Sequence, residues 1–109
     1  MRILPWQPWA AVPGVLLALC VLPTAAQDAR ALHLRALAAT CANCHGTQGR
    51  AVDGASVPGL AGMPASYMIE QLTAFKSGAR PATVMHQLAK GYSDSQIEAV
   101  AGWFAAQPK

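Results

Sequence analysis

No stretch of this chain alternates apolar and polar residues at the period of two that a half-buried strand requires, so no sheet is expected. No segment repeats another. There are three cysteines and no second Cys or His pair beside them, which leaves a four-ligand structural zinc site without its ligands. Lys and Arg form neither a stripe nor a polybasic run, which argues against a nucleic-acid or anionic membrane partner. The apolar run Ala10–Leu22 is interrupted by Pro13 and Gly14 and is shorter than the ~20 residues of a spanning helix, so stable membrane insertion is not expected.

What the N-terminus does have is the layout of an export signal. Arg2 supplies a positive start, Ala10–Leu22 an apolar centre, and Thr24-Ala25-Ala26 the small residues of a cleavage site. Cleavage after Ala26 would divide the chain into a signal peptide, residues 1–26, and one small domain, residues 27–109, in the periplasm. Leu19 stands before Cys20 where a lipid-attachment signal would place Gly, Ala or Ser, so Cys20 reads as an ordinary apolar residue lost on processing. Removal of Arg2 with the signal leaves seven basic residues against five acidic.

The two cysteines that remain stand in Cys41-Ala42-Asn43-Cys44-His45. Two cysteines two residues apart with a histidine after the second form the attachment pattern of c-type haem. Each thiol adds across one vinyl group to make a thioether, and the next residue, His45, is placed to reach the iron. A thioredoxin-like redox pair would sit between a strand and a helix; here the motif closes a helix and no strand is foreseen. A domain this small buries little core on its own, and haem would supply the missing apolar mass.

The remaining chain reads as a wrapper of helices. Asp28 is the expected N-cap of the first, whose face Leu34, Leu37, Ala38 and Cys41 recurs at helical spacing and leads into the motif, with Gly46 as its stop. Residues 46–62 are turn-like, with Pro58 a reasonable carbonyl acceptor for the second ring nitrogen of His45. Pro64 suits the first position of a second helix whose face is Tyr67, Met68, Gln71, Leu72 and Phe75 and whose stop is Gly78. A short helical or irregular segment, Val84–Ala89, follows. Ser93 and Gln96 form a capping box for the last helix, with Ile97, Val100, Ala101 and Phe104 on its apolar face.

The sixth ligand must come from far along the chain. Met85, between the second and last helices, is the leading candidate, and a thioether there would favour ferrous iron. Met63 and His86 are its competitors, Met68 reads as core filler, and His33 as a solvated surface residue. Lys76, Arg80 and Lys90 are either a positive rim or ordinary solubilising charges.

With Pro58-Gly59-Leu60-Ala61-Gly62, Tyr67, Gln71-Leu72, Phe75-Lys76-Ser77-Gly78, Arg80, Ala82-Thr83-Val84-Met85 and Ala89-Lys90-Gly91-Tyr92-Ser93 added to the haem motif, the chain resembles short bacterial class I cytochromes c. Among these it is similar to the cytochrome subunit of flavocytochrome c sulfide dehydrogenase. Met63 departs from that pattern, which often has a polar residue there. The resemblance implies an all-α fold of three to five helices around one covalently bound haem c. It also implies His45 and Met85 as axial ligands and an FAD-containing flavoprotein that oxidises sulfide and hands electrons over singly. Such a protein is an electron carrier rather than an enzyme, passing electrons to a downstream redox protein or oxidase. A free shuttle to a terminal oxidase and a haem enzyme or gas sensor with a labile sixth ligand are the alternatives.

Overall fold

The computed structural model describes residues 22–109. Of the expected signal peptide, residues 1–26, the part before Leu22, including Cys20, lies outside the described residues. Residues 33–109 form one compact unit; of the other, 1–32, the described part is helical. Among the described residues four helices occur in the order α1 (Leu22–His45), α2 (Ala65–Ser77), α3 (Met85–Lys90) and α4 (Asp94–Ala105), with a 3₁₀ turn at Thr47–Gly49. Among the described residues there is no strand, as the absence of period-two patterning requires.

The first helix does not begin at Asp28. It runs through that residue from Leu22. Ala25, Ala26 and Gln27 are strong helix formers and nothing among them stops a helix, so in the uncut chain Asp28 lies within the helix rather than at its cap. The other boundaries follow local chemistry closely. Pro64 is the N-cap of α2, one position ahead of expectation, and Gly78 ends that helix at φ 83°, a left-handed conformation open to glycine. At α4 the capping box is complete: the Gln96 amide donates to Ser93 Oγ at 3.2 Å and the Ser93 amide donates to Gln96 Oε1 at 2.9 Å.

One cluster of buried side chains joins three helices: Ala38 of α1, Met68 of α2, and Val100, Ala101 and Phe104 of α4. Leu34, Leu37 and Cys41, the remaining members of the α1 face, pack against it, as do Leu60, Met63 and Trp103. Phe104 is 2% exposed, and burying a side chain of that size contributes ~1.5–3 kcal/mol. Met68 is core filler, as its helical register suggests.

Residues 46–62 have little regular structure, yet they are fastened at several points. The Gly49 carbonyl accepts from the amides of Leu60 at 2.7 Å and Ala61 at 3.1 Å, closing the loop on itself. The Gly62 amide donates to the Phe104 carbonyl at 3.0 Å, tying its end to α4. Gly49 is buried at φ +77°, and a Cβ there would stand 2.8 Å from Phe104 Cδ1 and 2.9 Å from the Ala61 nitrogen. The closure therefore requires glycine at this position both for the backbone angle and for space.

Candidate haem site

The Cys41–His45 motif forms the last turn of α1. Helical geometry carries all three side chains at the end of one rod, and Gly46 turns the chain away at φ 83°. Both cysteines are free thiols; Cys44 is exposed and Cys41 half-buried against the core. Burial pushes the Cys41 thiol above its ordinary range, with hydrogen bonds involving Thr40 and Tyr92 acting in the opposite direction. Cys41 is therefore a neutral thiol at neutral pH.

His45 is buried, 9% exposed, and its Nδ1 lies 2.7 Å from the Pro58 carbonyl oxygen. A carbonyl only accepts, so Nδ1 carries the proton and donates. Nε2 is left with its lone pair available for a metal, in an imidazole of fixed orientation. The acceptor is the one foreseen, and the loop closure at Gly49 explains how it is held: Pro58 lies between the closed ends of residues 49 and 60.

The candidates for the opposite face lie elsewhere. Met85 opens α3 and is half-buried. Around it in sequence, Val84 is 50% exposed and Leu88 48%, and Tyr67 of α2 is also exposed. Large apolar side chains so placed suit an apolar group seated against them. His86 is half-buried and its Nδ1 is buried without a hydrogen-bond partner. Met63 packs against the core cluster. His33 is exposed.

Of the three cations, Lys76 is paired: its Nζ contacts Asp94 Oδ1 at 2.7 Å and donates to the Tyr92 carbonyl at 2.8 Å. Arg80 lies over the Phe75 ring at 4.6 Å and donates to Gln71 Oε1. These two serve local structure; Lys90 is simply exposed. The Tyr92 hydroxyl lies 2.6 Å from Thr40 Oγ1, next to Cys41, across 52 positions of sequence. Sequence patterning carried no sign of this pair.

The donor set fits covalently held haem. Two free thiols at the required spacing end a helix, a tautomer-fixed imidazole follows, and uncovered apolar side chains flank a methionine on another helix. Zinc is not favoured, since among the described residues no three His, Cys, Asp or Glu side chains gather to hold a metal.

Comparison with known proteins agrees with this geometry. The thiosulfate dehydrogenase electron acceptor of Stutzerimonas stutzeri is 41% identical over 71 residues, covering 65% of this chain and 33% of that protein. The cytochrome subunit of sulfide dehydrogenase of Chlorobaculum tepidum is 38% identical over 68 residues, covering 62% of this chain and 60% of its own length. Cytochrome c-554(548) of Halomonas halodenitrificans is 34% identical over 71 residues, 84% of its length. The chain thus spans a third to three-fifths of the first two relatives. Residues 35–106 match the cytochrome c family across the motif, the fastened loop and α2 to α4. With its Cys-X-X-Cys-His turn and all-helical wrapper, the chain belongs to the cytochrome c family of electron carriers, whose cofactor is covalently bound haem c.

Proposed function

We propose that Cys41 and Cys44 hold one haem c, that His45 and Met85 are its axial ligands, and that the chain relays single electrons from a sulfur-oxidising dehydrogenase to a downstream redox protein or oxidase. The observation that carries this reading is the 2.7 Å contact between His45 Nδ1 and the Pro58 carbonyl, which orients the imidazole and leaves Nε2 available as a metal ligand. When bound, haem supplies an iron that cycles between ferric and ferrous states.

The chain's residues make the attachment, the ligation and the insulation. Cys41 and Cys44 would each hold the group by a thioether to one vinyl carbon, an addition of S–H across the double bond with no net redox change. The Pro58 carbonyl fixes the orientation of the His45 ring through the hydrogen bond at Nδ1. Met85 offers a soft thioether that favours ferrous iron and so raises the reduction potential relative to a second histidine. His45 and Met85 together would keep small molecules from the metal, which suits transfer rather than catalysis.

The electron donor is an FAD-containing, sulfide-oxidising flavoprotein subunit, a reading supported by the sequence likeness to the cytochrome subunit of sulfide dehydrogenase. A second reading, supported by the 41% identity to thiosulfate dehydrogenase electron acceptors, makes the donor a thiosulfate-oxidising dehydrogenase. Residues 1–26 direct export to the periplasm and are then removed. Among the described residues no helix is long and apolar enough to cross a membrane.

The test has two parts. The haem-loaded protein should show the long-wavelength ferric absorption of an iron–thioether bond, and Met85→Ala should abolish it. High-spin ferrous haem that binds CO readily would overturn the ligand assignment. Stopped-flow reduction by a sulfide-oxidising flavoprotein against a thiosulfate dehydrogenase then separates the donors; reduction by neither removes both.

A further inference from the structure

We propose that Tyr92 is a positioning residue for the sixth ligand: its bond to Thr40 sets the span between the haem-attaching end of α1 and the helix that carries Met85. The inference rests on the reading of Met85 as that ligand.

Tyr92 lies just past the end of α3, and its backbone is tied on several sides. Its amide donates to the Ala89 carbonyl of α3 at 3.2 Å. Its carbonyl accepts from Lys76 of α2 at 2.8 Å, and the same ammonium reaches Asp94 at the start of α4 at 2.7 Å. The junction between α3 and α4 is thus fixed to α2, and the Tyr92 side chain reaches from it to α1. There the hydroxyl meets Thr40 Oγ1 at 2.6 Å. Thr40 spends its own proton on the Leu37 carbonyl at 2.7 Å, so Tyr92 is the donor. Thr40 immediately precedes Cys41, whose sulfur is 3.9 Å from the same oxygen.

One bond therefore links the residue beside the first attachment cysteine to the trailing end of the six-residue helix opened by Met85. That helix has no side-chain cap at its start; backbone bonds from Gln87 and Leu88 to the Val84 carbonyl close its first turn and it packs on α2, while the Tyr92 hydroxyl is what ties its trailing end to α1. A tie of this kind has a consequence that mere stabilisation lacks. Loosening it frees the thioether and lets an external ligand compete for iron.

The experiment uses the haem-loaded protein and the variants Tyr92→Phe, Thr40→Val, the double variant and Thr40→Ser. Imidazole affinity for ferric iron is measured by optical titration, beside the denaturant midpoint. Tyr92→Phe and Thr40→Val should each raise imidazole affinity roughly three- to tenfold, the range expected from one hydrogen bond. The double variant should rise no further than either, and Thr40→Ser should match the parent. Unchanged imidazole affinity in both single variants, with only a lower denaturant midpoint, would overturn the proposal and leave the pair purely structural. A parent protein without the iron–thioether band overturns the Met85 assignment itself, and the proposal with it, so the two failures are distinguishable.

Discussion

The two sides of the proposed haem site are built differently. On the His45 side the ligand ends a 24-residue helix, is buried, and donates to a carbonyl in a loop closed by Gly49 and tied to Phe104. On the Met85 side the ligand opens a six-residue helix with no side-chain cap, among exposed Val84, Leu88 and Tyr67. One side is organised by the polypeptide alone. The other relies on a few ties and on the group that covers its apolar surface. On the proposed assignment a carrier would benefit from this division: the histidine side is held constant, while the methionine side is the one open to adjustment.

Five substitutions, one of them a control, break or sharpen the contrast, in falling order of expected cost. Phe104→Ala removes the side chain on which the loop and α1 both pack, and should destabilise the haem-loaded protein by about 3–5 kcal/mol in a denaturant titration. A loss under ~1 kcal/mol would mean that the His45 side is not anchored there. Gly49→Ala puts a methyl against Phe104 and the Ala61 backbone at a left-handed angle; about 3 kcal/mol is expected from strain and crowding together. Gly54→Ala is its control, since that position is also left-handed but has nothing within 4 Å, and it should cost only about 1–2 kcal/mol. Met85→Ala should reverse the pattern: a half-buried side chain costs only about 1–2 kcal/mol of packing, yet the ferric spectrum changes completely. If Met85→Ala proves as destabilising as Phe104→Ala with its spectrum intact, Met85 is core and the ligand lies elsewhere. Ser93→Ala, which removes the α4 cap beyond Tyr92, should cost about 1 kcal/mol and leave the spectrum unchanged.

How far the sequence could be read depended on the range of each interaction. Local chemistry was legible: the haem motif at a helix end, the Ser93 and Gln96 box, the Gly78 stop, and the Ile97–Phe104 face. Pro58 was legible because a histidine ligand needs an acceptor and the following loop must supply it. The start of α1 was not legible from Asp28, because the helix-forming Ala25, Ala26 and Gln27 carry the helix through that residue. Residues 46–62 read as turns, which they are, but their fastening depends on Gly49 meeting Phe104, a contact with no local pattern. The Thr40–Tyr92 bond and the Lys76–Asp94 pair were invisible for the same reason, since hydroxyls and surface charges have no periodicity that identifies their partners.

The Gly62 amide bond to Phe104 and the Gly49 packing on its ring also bear on the order of events during synthesis. A chain made from its N-terminus exposes Cys41 to His45 long before Phe104 exists. Throughout that interval the Pro58 carbonyl has no anchored loop to hold it, and His45 can rotate. Ligand orientation is among the last things the nascent chain acquires, when α4 arrives and closes the loop behind it.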